Sequence, residues 1–363
     1  MEAIRSVVNT LSSPTIFFSL SVILFIAMFT FRKWVEPRYA ALIVAGAVIF
    51  FAASMFDPDF RLIVTKPDNV PIAGMLFLVG FFSWVGLKQA FENDGRIAQG
   101  LGPAEKDETE QKVLVWPDLV YSEFICLIIL SVVLLAWAIL LQAPTEEPAN
   151  LTRSPNPSKA PWYFLGLQEM LVYFDPWLAG VVFPSLIILG LMAIPYIDVN
   201  SKGNGYYTFR ERRWEILIFM FGFIVLWILL VIQGTFLRGP NWNFFGPYER
   251  WDIHKLLPLS NVNLSEFIYV KWLPNLGYKG GLPKFWLWRE IWGMLLVIAY
   301  FMLPPPILAR TAFRRFFEKM GFIRYNVMVF LLLFMIALPI KMYLRWAFNL
   351  KYIVAINEFF FNI

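Results

Sequence analysis

The residues best suited to chemistry lie in one short aromatic segment, APWYFLGLQEMLVYF, which runs from Ala160 to Phe174. On a helix, Trp162, Glu169 and Tyr173 share one stripe, because they are spaced seven and four residues apart. An acid at membrane depth is a candidate functional group, and this one would lie among aromatic rings. Trp and Tyr also form aromatic belts at membrane surfaces, and composition alone favours this second interpretation.

Prolines limit where this segment can become helical. Each residue before Pro155, Pro157 and Pro161 is biased towards extended backbone, so no helix is expected before Pro161. Pro161 suits the first position of a helix, where a missing N–H costs little. A helix that ends near Phe174 is shorter than the roughly 20 residues needed to cross a bilayer, so it should lie along the membrane surface or tuck back into it. Its expected anchors are Phe164, Leu167, Leu171 and Phe174.

The rest of the chain has the composition of a membrane protein. Hydrophobic residues make up 59% of the 363 residues, charged residues make up 16%, and the mean hydropathy is +0.61. These values predict an all-α, polytopic membrane protein with about eight transmembrane helices, besides the interfacial helix that carries the PWYF residues. The predicted spans are Pro14 to Phe31, Tyr39 to Phe56, Val70 to Ala90, Leu119 to Leu141, Leu178 to Tyr196, Ile216 to Phe236, Ile291 to Leu308 and Val327 to Trp346.

Basic residues predict which side each loop faces. With eight spans, the odd-numbered loops share one side and hold 16 of the 31 Lys and Arg residues. The other side holds 15 Lys and Arg residues, of which seven lie in the long loop 238–289. Long loops do not follow the charge rule, so these seven are not counted, and eight remain. The odd-numbered loops are therefore expected in the cytoplasm of a bacterium. Both termini and the PWYF residues are expected on the periplasmic side of its inner membrane, with the first apolar run retained as a span.

Composition divides the chain into five parts. A polar, charged linker from Glu92 to Lys112 follows the first three spans, and a long loop rich in Trp, Pro and Gly lies between the sixth and seventh. That loop holds too many aromatic residues for a disordered segment. The predicted parts are a three-span extension (1–91), a cytoplasmic linker (92–113), a three-span domain (114–237), an outward aromatic capping loop (238–290) and a two-span region with an interfacial tail (291–363).

Few residues could hold a metal or a haem. The single histidine, His254, lies in the outer loop rather than in a span, and the single cysteine, Cys126, belongs to no CxxCH motif. We therefore predict no metal site and no bis-histidine haem held by this chain alone. Glu123, at the start of the fourth span, is a second acidic candidate, although a helix N-terminus also favours an acid there. The net charge of +5 needs no nucleic acid to explain it.

Val115 to Phe236 resembles the C-terminal part of cytochrome b, which is subunit four in the split cytochrome bf complexes and their bacterial menaquinol-oxidising relatives. The resemblance rests on a WPD sequence at Trp116, a long span, a proline-rich outward loop, a motif that ends in Trp-Tyr and two more spans. The family signature is Pro-Glu-Trp-Tyr, and this chain has Ala-Pro-Trp-Tyr from Ala160 to Tyr163. The longer string APWYFLGLQE is similar to that of menaquinol-oxidising members.

The resemblance implies that Pro161, Trp162 and Tyr163 line a quinol-oxidation pocket on the outer face, and we place Tyr173 in the same pocket. In this family the quinol gives one electron to a Rieske iron–sulfur centre and one to haem b in a partner subunit, and protons are released outside. The implied partners are a haem-b-carrying subunit of the cytochrome b N-terminal type, a Rieske protein and a c-type cytochrome with haem c. Menaquinol is the implied substrate and a dimeric complex the implied assembly, with membrane lipid around it and no nucleic acid.

One position departs from the family pattern. The family uses the Glu of its signature to accept a proton from the quinol, which requires a carboxylate near the hydroxyl with a pKa tuned by burial. Pro161 occupies that position here. Our hypothesis is that Glu169, on the Trp162 stripe, is the proton acceptor; a water chain and a residue of a partner subunit are the alternatives.

Two functions follow, and they differ in class. The first is a haem-free membrane subunit of a quinol:cytochrome c reductase, part of an oxidoreductase of the respiratory chain and inactive alone. The second is a non-catalytic scaffold in a respiratory membrane complex, whose motif has lost catalysis with its Glu. A transporter is less well supported, because the spans carry too few polar residues to line a path. The first three spans and the last two lie outside the resemblance.

Overall fold

The computed structural model describes residues 2–108, 114–141, 148–200, 206–258 and 260–363. Within these ranges the fold is almost entirely helical, and the strands are two short ones, Ala355–Ile356 and Phe361–Asn362, which pair antiparallel. Seven helices of the described part are long and apolar enough to cross a membrane. An eighth span results if the pair Glu2–Leu11 and Pro14–Thr30, bent by 72°, counts as one. The prediction of an all-α, multi-pass membrane protein is confirmed.

Every predicted span coincides with one of these helices or with the bent pair. The Val70–Ala98 helix continues beyond the predicted end at Ala90, so the first residues of the predicted linker are helical. A short helix, Ala104–Glu108, follows, and residues 109–113 lie outside the described ranges. The seven helices are Pro37–Ser54, Val70–Ala98, Val115–Leu140, Leu178–Ile197, Arg213–Leu237, Trp286–Arg310 and Arg314–Phe348.

Prolines begin several of the helices. Pro14, Pro37 and Pro58 each occupy the first helical position, where the fixed φ suits the helix and no N–H is needed. The Pro58–Val64 helix is also capped by Asp57, whose Oδ1 accepts hydrogen bonds from the backbone N–H groups of Asp59 and Phe60 at 3.0 and 3.1 Å. Helix starts in this chain are therefore encoded locally.

The helices pack into two compact units. The first comprises residues 1–158, 204–226 and 235–255, and one of its hydrophobic clusters joins Phe29, Val35, Leu87, Ala90 and Phe209. The Val115–Leu140 helix belongs to this unit, yet none of its residues from Val120 onward is buried. Its apolar side chains thus form surface rather than core, as is typical of a helix that faces lipid or another subunit.

The second unit comprises residues 159–203, 227–234 and 256–363. Within it the Trp162–Met170 helix packs on the segment Leu229–Ile232, and the Leu178–Ile197 helix packs on the Arg314–Phe348 helix. The last of these changes direction at Gly321, whose φ of 74° suits a residue without Cβ. This unit therefore holds the predicted aromatic segment and its supports.

The predicted capping loop 238–290 contributes to both units. In the first, Phe245 is fully buried and Arg238 donates from Nη1 to the carbonyl oxygen of Trp242 at 3.0 Å. In the second, Val262 forms a bridge with Leu350, and the hydroxyl of Tyr269 donates to the carbonyl oxygen of Trp288 at 2.8 Å. Both parts of the loop are thus ordered by specific contacts. The remaining elements of this region are short helical turns at Pro240–Trp242, Leu264–Glu266, Phe267–Trp272 and Leu273–Leu276.

Candidate functional site

The aromatic segment forms a helix from Trp162 to Met170. Pro161 lies one residue outside it, with an extended backbone (φ −52°, ψ 149°), so the prediction that Pro161 is the first helical residue is wrong by one position. Its carbonyl oxygen still accepts the first hydrogen bond, from the N–H of Phe164 at 2.8 Å. The side-chain Oε1 of Gln168 accepts from the N–H of Ala160 at 2.8 Å. The proline-rich approach is therefore tied to the helix that it precedes.

Two aromatic side chains at the start of this helix lie at the surface of their unit. Trp162 is 40% exposed and Tyr163 is 47% exposed. Their ring centroids are 5.8 Å apart with the planes nearly perpendicular, an edge-to-face arrangement. An apolar ring entering beside them would find both an aromatic face and an aromatic edge.

The acid of the segment lies in the interior instead. Glu169 is fully buried and Tyr173 is 1% exposed. The Tyr173 hydroxyl donates to Oε1 of Glu169 at 3.5 Å, and the Tyr173 ring meets the ring of Trp346 edge-on at 6.0 Å. The structure thus brings together the acid and one of the aromatic residues that the stripe predicted.

Trp162 occupies the far end of that stripe. Seven residues of helix separate it from Glu169, which is about 10 Å along the axis. The helix ends at Met170, so Tyr173 reaches Glu169 from the turn that follows rather than from the helix itself. Among the expected anchors, Phe164 and Leu171 are exposed whereas Phe174 is buried against Phe183.

Close packing against the 227–234 segment holds the helix in place. A Cβ on Gly234 would lie 3.2 Å from the carbonyl oxygen of Leu165, and a Cβ on Gly166 would lie 3.5 Å from Cγ2 of Val231. Glycine at position 234 lets the two backbones approach closely, whereas a Cβ at Gly166 would make an ordinary van der Waals contact.

Two polar residues near this contact were missed by the sequence analysis. Gln233 is 2% exposed, and neither polar atom of its amide has a hydrogen-bond partner among the described residues. Lys341 is also 2% exposed; its Nζ donates to the carbonyl oxygen of Lys351 at 2.6 Å and lies 5.5 Å from the centre of the Phe174 ring. The available signal was a polar residue within an apolar run, which applies to both positions.

The turn after the helix is held by the C-terminal tail. The hydroxyl of Tyr352 donates to Oδ1 of Asp175 at 2.8 Å, and Nδ2 of Asn362 donates to the same oxygen at 3.3 Å. Trp177 donates from its indole N–H to the carbonyl oxygen of Asn362 at 3.0 Å. Burial, and next the hydrogen bond to Asp175, raise the pKa of the Tyr352 phenol, so it remains a donor at neutral pH.

The other candidates lie at exposed positions. Glu123 is exposed in the first turn of its helix, where the dipole favours an acid. His254 is exposed in a turn in which its backbone N–H donates to Oδ1 of Asp252 at 2.8 Å, and Cys126 is exposed on its span. Within the described ranges no group of three His, Cys, Asp or Glu residues could hold a metal ion.

These features define a class: a multi-pass, all-α membrane protein in which one short helix has an exposed aromatic pair at its start and a buried acid near its end. Residues 148–244, about a quarter of the chain, match the sequence model of the family described as cytochrome b (C-terminal)/b6/petD. The match confirms the family resemblance over the aromatic helix and the two helices that follow. It indicates a subunit of a cytochrome bc- or b6f-type complex, a class of quinol-oxidising redox complexes. No solved structure is significantly similar to the chain.

Proposed function

We propose that this chain is a haem-free membrane subunit of a quinol:cytochrome c reductase and forms part of the site that oxidises quinol on the outer face of the membrane. One observation carries the proposal: the family match spans the helix on which Trp162 and Tyr163 are presented at the surface of their unit. An exposed aromatic pair suits a planar apolar ring, because edge-to-face and stacked contacts are both available.

The pocket wall consists of Pro161, Trp162 and Tyr163, with Tyr173 behind it. Pro161 has no N–H and holds the approach extended, so it shapes the rim of the pocket without competing for the quinol hydroxyl. Tyr173 lies in the interior and carries a hydroxyl directed at Glu169. The aromatic pair therefore binds and orients the ring, and the buried pair receives the proton.

Glu169 is the proposed proton acceptor in place of the signature Glu. Its burial keeps the carboxylate away from bulk water. About 10 Å of helix separate the surface aromatic pair from Glu169, so the proposed proton path includes water. A water chain that bypasses Glu169, or a residue of a partner subunit, is the alternative acceptor.

The electrons leave through partner subunits. Haem b needs two axial ligands from within the membrane, and this chain has one histidine, exposed in a loop, so its residues do not fit that cofactor. We therefore assign haem b to a subunit of the cytochrome b N-terminal type, the first electron to a Rieske protein and the onward transfer to a c-type cytochrome. Menaquinol is the proposed substrate, and the proposed assembly is a dimeric complex in a bacterial inner membrane, with the aromatic helix on the periplasmic side.

The test uses the purified native complex and measures reduction of cytochrome c by a menaquinol analogue. Tyr163→Ala is expected to abolish the activity while the complex still assembles. Tyr196→Ala removes a tyrosine that is more exposed (78% against 47%) and lies at the end of the Leu178–Ile197 helix, and it is the control. The isolated chain is expected to be colourless in the visible range.

The second candidate is a non-catalytic scaffold in such a complex. It is favoured by the replacement of the signature acid by Pro161 and by the separation of Glu169 from the exposed aromatic pair. If activity survives Tyr163→Ala at the wild-type rate, the scaffold replaces the catalytic proposal.

A further inference from the structure

The first unit contains a cavity of about 730 Å³ at the ends of two of its long helices. It lies where the Pro14–Thr30 helix ends and the Arg213–Leu237 helix begins. Nine side chains line it, all in the described part of the chain, and none of the nine is acidic. The six that matter for binding are Phe25, Phe29, Leu217, Arg32, Arg210 and Arg213.

A buried carboxylate fixes the polar end of this cavity. Asp94 is 4% exposed, and its Oδ1 accepts from the backbone N–H groups of Phe209 and Arg210 at 3.1 and 2.9 Å. Its Oδ2 pairs with Nη1 of Arg32 at 3.3 Å. The loop that carries Arg210 is therefore positioned before any ligand arrives.

The three arginines carry three positive charges and Asp94 carries one negative charge, so these four side chains have a net charge of +2. The Arg32 guanidinium lies over the rings of Phe91 and Phe209 at 4.7 and 5.3 Å, which holds its plane in one orientation. The Arg210 side chain is 66% exposed, with Nε 3.9 Å from Asp94, so most of its donors remain available. Guanidinium groups bind phosphate through paired hydrogen bonds, so these arginines suit a phosphate-bearing anion.

The other end of the cavity is apolar. Phe25, Phe29 and Leu217 are side chains of membrane-spanning helices, while the arginines lie at the helix ends. In an eight-span chain the end of the first span, the end of the third and the start of the sixth lie on one side of the membrane. Asp94 lies near the end of the Val70–Ala98 helix and Arg213 lies at the start of its helix, so both are on that same side. The cavity thus has a charged end at headgroup level and an apolar end at acyl-chain level.

We propose that this cavity binds the phosphate of an anionic phospholipid, with its acyl chains against Phe25, Phe29 and Leu217. Basic pockets between spans are the usual way in which membrane proteins hold anionic lipids. A volume of about 300–1,000 Å³ is typical of small-molecule sites, so this cavity admits a headgroup and the first part of its chains. The proposal does not depend on the quinol site.

The test is native mass spectrometry of the full-length chain in detergent. The delipidated protein is given equimolar phosphatidylglycerol and phosphatidylcholine with identical chains. We expect one phosphatidylglycerol to be retained per chain in preference to phosphatidylcholine by about tenfold or more. Inorganic phosphate, added at millimolar concentration, tests whether the cavity binds free phosphate rather than a lipid headgroup. It is expected not to displace the lipid.

The double variant Arg210→Gln/Arg213→Gln is expected to lose that preference. Arg32 is left intact because it pairs with buried Asp94. The control, Arg315→Gln/Arg324→Gln, removes two exposed arginines from the second unit and should retain phosphatidylglycerol as the wild type does.

Three results would overturn the proposal: equal retention of the two lipids by the wild type, equal losses in both double variants, or displacement of the lipid by inorganic phosphate. Displacement of the lipid by inorganic phosphate would make the cavity a site for a free anion. Equal retention of the two lipids would indicate that a protein partner occupies it. If the Arg210/Arg213 variant fails to fold, the proposal is tested by the retention of the two lipids in the wild-type protein alone.

Discussion

The hydroxyl of Tyr173 lies 3.5 Å from Oε1 of Glu169 in the interior of the second unit, whereas the aromatic pair that begins the same helix lies at its surface. Glu169, about 10 Å along the helix from that pair, is the proposed internal acceptor of the proton. The two pairs divide the proposed chemistry: one binds the ring and the other receives the proton.

Glu169→Gln is expected to lower quinol oxidation by about 100-fold or more, the usual effect of losing a general base, with little change in KM. Glutamine keeps the shape but cannot accept a proton at neutral pH. The measurement is steady-state cytochrome c reduction by the purified complex. Glu123→Gln makes the same chemical change at an exposed acid and should leave the rate unaltered. An unchanged rate in Glu169→Gln would mean that water or a residue of a partner subunit, rather than Glu169, accepts the proton.

Gln233→Met is expected to raise the thermal stability of the protein. The Gln233 amide is buried with no hydrogen-bond partner among the described residues, which costs about 1–3 kcal/mol, and methionine fills a similar volume without that cost. The midpoint of thermal unfolding in detergent is the measurement. Gln99→Met, at an exposed helix end, should be neutral. A lower midpoint for Gln233→Met than for the wild type would contradict the prediction.

Gly293→Ala is expected to destabilise the docking of the C-terminal tail by about 1–3 kcal/mol, as overpacking usually does. A methyl group at Gly293 would collide with the carbonyl oxygen of Ile353. Gly80→Ala is the matched control, since Gly80 also lies within a spanning helix but has open space around its Cβ position. Hydrogen exchange of the tail amides would distinguish them: faster exchange is expected for Gly293→Ala alone, and equal exchange in both variants would contradict the prediction.

The tail should also loosen in acid. The Arg289 guanidinium holds both oxygens of Glu358, at 3.1 and 2.8 Å, and lowers the pKa of that carboxyl below its ordinary value of 4.5. A lowered pKa means that the ion pair stabilises the fold fully above pH 4.5 and is lost as the pH falls through the lower value. The protection of the tail amides, measured as exchange rates corrected for the intrinsic effect of pH, should therefore fall below pH 4.5, and Glu358→Gln should remove that step. A step that persists in the variant would point to another acid.

Much of the fold followed from local patterns. The spans are predictable because a run of apolar residues is itself the requirement for crossing a bilayer. The starts of helices at Pro14, Pro37 and Pro58 follow from the geometry of proline. The Val70–Ala98 helix extends eight residues beyond the predicted third span, because a polar segment can continue a helix that has already begun. The five-part domain division and the orientation in the membrane remain predictions.

The candidate site was half predictable. Helical spacing correctly related Glu169 to Tyr173, although it assumed a helix that in fact ends at Met170. The burial of Gln233 and Lys341 was not foreseen, because each is one polar residue in an apolar run, and the run does not show which of its faces is covered by other parts of the chain. The arginine-lined cavity joins Arg32 to Arg210 across nearly half the sequence, which no local pattern reveals.

The sequence by itself determined that this protein crosses the membrane several times as helices and that one short aromatic helix carries a cytochrome b-like motif. Those properties depend on hydropathy, proline geometry and residue identity, which are local. Only the tertiary structure decided that Glu169 faces inward while Trp162 and Tyr163 remain exposed. Which face of a helix is buried depends on what packs against it, and here that is the segment around Val231 and Gly234, more than 60 residues away in the chain.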